Sequence, residues 1–367
     1  MKDRARLILV GGFLGAGKTT LLYETTKLLM QEGKKVGLIT NDQASELVDT
    51  TFLLQARVNV GEVSGSCFCC NFEGFIDSVK KVGKDSDADI IIAEPVGSCT
   101  DLSATIMQPL KEHLQKQLLV SPLTVLADHV KLDDICNGGN AGLHPSAAYI
   151  FKKQIEESDF LVISKSDLLS ERQLSALKEK VRVQFPDTEV LAISSKMGIG
   201  ITEWMNKVLT SEKKGDRIID VDYDTYAEGE AVLGWLNGSI SFKGKEIDFE
   251  ELAKGFLTEF GKRIDAFKIS VGHVKMIMES GTDYLSGNLT GPLETLSFRG
   301  TVGVSDEAKM IINARVELSP QKLDALVKHL LDLVVPEGVT TTINAWKCLS
   351  PGYPNPTYRY TRVIGRN

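Results

Sequence analysis

Eight residues near the start of the chain, Gly12-Phe13-Leu14-Gly15-Ala16-Gly17-Lys18-Thr19, fit the P-loop pattern. Glycines at this spacing let backbone N–H groups turn inward around a row of phosphates. The lysine neutralises the β- and γ-phosphates, and the threonine hydroxyl is a ligand for Mg²⁺. Gly12, Gly15, Ala16, Gly17, Lys18, Thr19 and Thr20 are therefore the expected nucleotide contacts. Further along, Glu94-Pro95-Val96-Gly97 ends an apolar run. A carboxylate there holds Mg²⁺ through water or orients the attacking water, while the Gly97 N–H faces the γ-phosphate. Between these stretches three thiols crowd into four positions, Cys67, Cys69 and Cys70. In a reducing compartment such clustering points to metal or redox chemistry rather than to a disulfide framework.

These groups need a scaffold, and the first 210 residues supply one by alternating short apolar runs with helical periodicity. Strands are expected at Leu7–Val10, Val36–Thr40, Ile90–Ala93, Leu123–Ala127, Leu161–Ser164 and Val190–Ser194. Helices are expected at Thr19–Gln31, Phe75–Val82, Ser146–Glu157, Glu171–Gln184 and Ile201–Leu209. The rhythm is that of an α/β fold, a doubly wound and mainly parallel sheet whose ligands sit at the carboxyl ends of the strands. The P-loop follows the first of those strands and opens the first helix, as the motif requires. A glycine-rich turn with no ligand would not bring the other motifs with it.

Base identity is read near the later strands. Ser164-Lys165-Ser166-Asp167 resembles the guanine-reading Asn-Lys-x-Asp motif of GTPases, with Ser164 in place of the usual asparagine. In that reading Asp167 accepts hydrogen bonds from the guanine ring N–H and amine, and the stem of Lys165 packs on the base. Ser194-Ser195-Lys196 resembles the last GTPase loop, in which Ser195 supports the base.

Taken together, the loop Gly11–Thr20, Asn41-Asp42, Cys67-Phe68-Cys69-Cys70, Glu94 to Gly97 and the Lys165/Asp167 pair resemble the CobW-like (cobalamin-synthesis-W) family of GTPases. These are relatives of the urease and hydrogenase nickel chaperones. The resemblance covers about residues 5 to 210, and the Cys-x-Cys-Cys stretch is its most specific element. It implies a SIMIBI-type P-loop fold, GTP/GDP with Mg²⁺ as cofactor, and catalytic roles for Lys18, Glu94, Gly97 and the first-switch residue Asp42. It also implies a metallochaperone or insertase that carries Zn²⁺ or Co²⁺ on Cys67, Cys69 and Cys70. Thiolates select soft or borderline cations, and three from one tight loop leave an open position for exchange. A client metalloprotein or cobalamin-pathway enzyme is the implied recipient. The alternative is a GTP-gated chaperone that assembles a cofactor enzyme, such as a corrinoid one, with purely structural thiols. A small-molecule kinase would leave the guanine-type motifs and the thiol loop unexplained.

Two features depart from family habit or stand outside the motifs. Only five histidines occur in the chain, so a His-rich metal store is absent, and His129 beside Asp128 is a lone histidine at a strand end. Cys99, just past Gly97, is either a buried thiol or a partner of the cluster.

Composition narrows the partners. The 367 residues carry a formal net charge of −7, with 43% hydrophobic and 25% charged residues. There is matter for two packed cores and no basic footprint for nucleic acid or an anionic membrane. The start of the chain lacks the apolar length of a membrane span, so a cytoplasmic location is expected. Oligomeric state is not legible. The expected organisation is a GTPase domain over 1–212, a charged linker over 213–224, and a smaller α+β domain over 225–367 for client recognition. That domain is read as strands near Ala231–Phe242, Phe267–Met278, Glu294–Gly303, Met310–Glu317 and Thr340–Lys347, with helices at Phe249–Arg263 and Pro320–Leu333. Trp346 and the Gly352-Tyr353-Pro354-Asn355-Pro356 stretch form either a partner surface or an ordered tail.

Overall fold

A computed structural model describes residues 4–42, 58–64, 66–211 and 215–365. The chain divides into two compact units, the first ending its main stretch at Tyr226 and the second running from Ala227 to Gly352.

Unit 1 is built on an eight-stranded sheet in which every pairing is parallel. Its strands are β1 (Ala5–Gly12), β2 (Val36–Asp42), β3 (Asn59–Ser64), β4 (Ile90–Glu94), β5 (Leu118–Val120), β6 (Thr124–Asp128), β7 (Phe160–Ser164) and β8 (Glu189–Ala192). They lie in the order β3-β2-β4-β1-β6-β7-β8, with β5 pairing the start of β1 beside β6. Leu7, Ile8, Leu9 and Val10 of β1 and Ile90, Ile91, Ile92 and Ala93 of β4 are all buried. Continuous apolar runs of this kind belong to a sheet covered on both faces. The chain winds outward from β1 in both directions, which opens a crevice at the carboxyl ends of β1, β2 and β4.

The helices around this sheet are α1 (Lys18–Gln31), α2 (Phe72–Asp85), α3 (Gln108–His113), α4 (His129–Cys136), α5 (Pro145–Glu157), α6 (Glu171–Gln184) and α7 (Ile201–Thr210). Local chemistry sets their ends. Gly33, at φ 76°, follows the end of α1. Asn71 caps α2 by accepting from the Gly74 N–H, and Ser170 with Gln173 forms a capping box on α6. A single π-turn, Ser103–Met107, runs into α3.

Unit 2 is a six-stranded antiparallel sheet. Its strands are β9 (Gly234–Asp248), β10 (Val271–Ser280), β11 (Asp283–Leu289), β12 (Ser297–Thr301), β13 (Val304–Val316) and β14 (Thr340–Leu349). Their order is β12-β11-β10-β13-β9-β14. Two amphipathic helices join it, α9 (Phe249–Phe267) and α10 (Pro320–Val334), the short helix Tyr223–Ala231 being α8. Phe249, Phe256, Phe260, Leu323, Val327 and Leu330 from the two long helices share one core with Ile240, Phe242, Val274, Met276 and Ile312 from the strands.

Both fold classes match the sequence expectation, whereas the division of the chain does not. Residues 353–365 belong to unit 1 rather than to the second domain. The expected linker, whose positions 213 and 214 lie outside the described residues, is anchored at Gly215. The Gly215 carbonyl accepts from Ser103 Oγ, Gln108 Nε2 and Lys111 Nζ, and its N–H donates to Asp159 at 2.6 Å. The charged stretch reads as a linker because its partners lie 56 to 112 positions away.

Candidate nucleotide and metal site

The expected phosphate cradle follows directly from β1. Gly12, Gly15 and Gly17 have φ of 130°, 79° and 89°. A Cβ on Gly12 would lie 2.3 Å from the Leu126 carbonyl oxygen, so only glycine lets β1 and β6 close together here. The Lys18 ammonium donates to the Gly12 carbonyl at 2.8 Å and lies 3.8 Å from Glu94 Oε1. Thr19 Oγ1 donates to the same Glu94 oxygen at 3.3 Å. A hydroxyl beside a buried carboxylate is a hard-oxygen donor pair of the kind Mg²⁺ selects. Gly97 closes the other side, where a Cβ would meet Leu14 Cδ2 at 2.7 Å and Lys18 Nζ at 3.1 Å. Lys18, Thr19, Glu94 and Gly97 are therefore one cluster. Asp42 ends β2 in register with Ser64, but its side chain lies outside the described residues.

The residues expected to read the base gather at the far end of the sheet. Lys165 adopts φ 55° after β7, and its ammonium pairs with Asp128 at 2.8 Å. Burial alone would raise the Asp128 carboxyl, but Lys165 brings it below its ordinary range. Asp167 is exposed in the short 3₁₀ turn Ser166–Leu168. The Ser166 N–H donates to the Ile193 carbonyl at 3.0 Å, which ties this turn to the Ser194–Ser195 loop. Ser164 turns inward and donates to the Ala127 carbonyl at 3.2 Å. Lys131, on α4, was not expected here. It approaches the Leu14 carbonyl at 3.4 Å and lies over the Phe13 ring, and burial pushes its ammonium down to about 8. His129 stands next to this group, with its Nδ1 buried and not hydrogen-bonded.

The thiols occupy the turn between β3 and α2. Cys67 Sγ and Cys69 Sγ are 3.1 Å apart, Cys69 and Cys70 are 3.9 Å apart, and all three sulfurs lie within 4.8 Å of one another. Asn41 on β2 fixes this turn. Its amide donates to the Val63 and Ser66 carbonyls at 2.8 Å each, and its oxygen accepts from the Phe68 N–H at 2.8 Å. Phe68 is fully buried and stacks on Phe75 of α2 with centroids 4.2 Å apart. The loop thus enters the N-terminus of α2, where the helix dipole favours negative charge. Hydrogen bonds from Cys69 and Cys70 hold the Cys67 thiol well below its ordinary value. Cys69 is driven well up, and Cys70 up to about 11, chiefly by their bonding to Cys67. The three thiols therefore hold their protons unequally, with Cys67 the most acidic of the set.

A profile of the family described as CobW/HypB/UreG, nucleotide-binding domain, matches residues 6–192. The chain belongs to this family. Similar curated proteins are the zinc-regulated GTPase metalloprotein activator 1 of Dictyostelium discoideum and the zinc chaperone CobW of a Sinorhizobium species. The first is 23% identical over 58% of this chain and 50% of its own length, and the second 25% identical over 72% and 84%. The chain thus spans about half the length of the first. Among solved structures, HypB from Helicobacter pylori in complex with nickel is 20% identical, with a TM-score of 0.40 over 56% of this chain and 86% of its own.

Sequence reasoning for this CobW/HypB/UreG chain missed what covers the thiols. The segment from Tyr353 lies against unit 1. The Thr357 N–H donates to the Cys69 carbonyl at 2.8 Å, and its hydroxyl to the Cys70 carbonyl at 3.4 Å. Tyr358 packs edge-on to Phe72 at 5.3 Å, and Arg359 Nε donates to Asp101 at 2.7 Å. The two prolines and the aromatics near the chain end were the available signal, since such a segment has little helix or strand content yet much to bury.

Proposed function

We propose that the chain binds and hydrolyses GTP with Mg²⁺ and uses that cycle to load and hand over a thiolate-bound Zn²⁺ or Co²⁺ ion. One observation carries this reading. Asn41, which fixes the thiol turn, follows Thr40, and Thr40 is paired across β2 and β4 with Glu94 of the phosphate cradle. A change at Glu94 and a change at the thiols are separated by one strand pairing.

In this assignment the backbone from Gly12 to Thr20 wraps the phosphates, and Lys18 exchanges the Gly12 carbonyl for phosphate oxygens. Thr19 and Glu94 hold Mg²⁺, which supplies charge neutralisation on the phosphates. Gly97 lies beside Lys18, where its N–H meets the γ-phosphate. Asp42 belongs to the first switch. Lys165, oriented by Asp128, lies along the guanine, Asp167 reads its edge and Ser195 backs it. Cys67, Cys69 and Cys70 hold the cargo. Zinc is favoured by the names of the relatives and by the donor set, which Co²⁺ also suits. The recipient is a metalloprotein or a cobalamin-pathway enzyme. Unit 2, which has no comparable metal-ligating cluster among the described residues, is assigned to recognising it.

Two variants test the assignment on one preparation. Lys18→Ala should lower GTP turnover by about 10²–10³ or more, the scale of one removed transition-state donor, and leave apo Zn²⁺ binding intact. The Cys67/Cys69/Cys70→Ser triple variant should lose Zn²⁺ binding and keep basal turnover. Unchanged turnover in the first, or unchanged Zn²⁺ binding in the second, contradicts the proposal.

A further inference from the structure

Three thiols from one turn leave a tetrahedral ion one ligand short. The structure places a fourth sulfur beside two of them, just outside the group of three whose sulfurs lie within 4.8 Å of one another. The Cys99 thiol lies within hydrogen-bonding reach of both Cys67 and Cys69, and its side chain is 2% exposed. Cys99 comes from a different part of the chain, the turn after Gly97, and its backbone is held at both ends. Its N–H donates to the Val96 carbonyl at 2.9 Å. Its carbonyl accepts from Gln154 Nε2 at 2.8 Å, and the same amide takes the Gly97 carbonyl at 3.0 Å. One side chain of α5 therefore ties Cys99 to the glycine that lies beside Lys18.

We infer that Cys99 is the fourth sulfur ligand, so that the ion is held between the Cys67–Cys70 turn and the segment that follows the phosphate-facing glycine. The inference rests on the metal-carriage reading and deepens it. A site made wholly from one turn reaches the phosphate cradle only through Asn41 and the β2–β4 pairing. A site whose fourth ligand rides two residues after Gly97 is closed while that turn stays in place, and it opens one coordination position when the turn moves. The surroundings suit a two-position element. Asp101, two residues on, has φ 63°, a strained value for a non-glycine residue. The segment is otherwise gripped by replaceable polar contacts, with Thr100 Oγ1 and the Ser103 N–H donating to Glu157 at 3.1 Å each and Arg359 donating to Asp101.

The test is zinc-edge X-ray absorption on the full chain loaded with one Zn²⁺ in the absence of nucleotide, compared with Cys99→Ser and Cys99→Ala. The expected wild-type first shell is four sulfurs at about 2.3 Å, falling to three sulfurs and one lighter atom in both variants. Zn²⁺ titrations with and without a non-hydrolysable GTP analogue should show wild-type coupling of about 5–150-fold, reduced in the Cys99 variants to what the Asn41 route alone transmits. The wild-type spectrum needs no substitution, so a folding defect in a variant does not blunt the test. A wild-type shell of three sulfurs and one lighter atom, or four sulfurs that persist in Cys99→Ala, overturns the inference and leaves metal carriage standing. A chain that takes up no stoichiometric Zn²⁺ overturns both.

Discussion

Around Lys18 donors meet acceptors. The ammonium is on the Gly12 carbonyl and near Glu94, and the Thr19 hydroxyl is on the same carboxylate. Around Cys67 the groups gather their own kind, sulfur against sulfur at 3.1 and 3.9 Å, braced from behind by Asn41 and from the front by Thr357. The first arrangement pairs donors with acceptors, and on the proposed assignment it exchanges one set of partners for another when phosphates arrive. The second gains most from a cation, since deprotonating neighbouring thiols in a buried turn is costly until a positive charge is placed among them. On the proposed assignment nucleotide and metal use separate groups, and the short segments that link them are β2 with Asn41 and the turn from Gly97 to Ser103.

The largest effect that sharpens this contrast is at the far end of the nucleotide site. Asp167→Asn should weaken GTP by about 10–150-fold, the range of a hydrogen bond to a charged group. The same variant should favour xanthosine triphosphate, whose carbonyl stands where guanine has its amine, and Zn²⁺ binding to the apo protein should be unchanged. Affinities of ATP, GTP and XTP for both forms check this, and equal binding of ATP and GTP by the unsubstituted chain would remove the base-reading assignment. Next in size is the brace. Asn41→Ala removes two hydrogen bonds from the thiol turn and one from the end of β3, and should lower Zn²⁺ affinity by about 10–100-fold, as loss of a ligand-orienting partner does. An unchanged affinity would mean that the thiols hold their own geometry.

A third effect, on stability rather than binding, concerns the shared turn. Burial, and then the charge of Asp101, pushes the Glu157 carboxyl from its ordinary 4.5 up to about 8. The folded state therefore keeps a proton that the unfolded chain releases. This contribution to stability is full below about pH 4.5, is lost as pH rises through about 8, and is on the order of a few kcal/mol. Glu157→Gln removes the titration at the cost of one acceptor, so its stability should approach or pass that of the parent as pH rises. Melting curves that stay parallel across that window would show Glu157 ionised in the fold.

The legible part of this molecule was local. The P-loop, the Glu94–Gly97 stretch and the three thiols announce themselves by spacing within a few residues, and the strands that carry them are continuous apolar runs. What escaped was set by distant partners. β3 reads as a weak strand because Gly61 interrupts it, yet a Cβ there would lie 2.6 Å from Val82 of α2, so the glycine is the condition for packing. β11 is hidden in the same way, since a Cβ on Gly287 would meet Leu257 at 2.2 Å. Asp128 as the partner of Lys165, Gln154 as the tie between Gly97 and Cys99, and the return of the chain end over Cys69 all depend on contacts across 37 or more positions. No periodicity encodes them.

The most direct test of the account is a Zn²⁺ titration of the full chain in three states, nucleotide-free, GDP-bound and bound to a non-hydrolysable GTP analogue, with nucleotide affinity measured in turn on the Zn²⁺-loaded and Zn²⁺-free protein. If the turn after Gly97 and the β2 end link the two sites, Zn²⁺ affinity should differ between the states by about 5–150-fold, and Zn²⁺ should shift nucleotide affinity by the same factor, as reciprocity requires. Identical Zn²⁺ affinity in all three states would contradict the account, leaving a nucleotide site and a thiol cluster that share a sheet and nothing else.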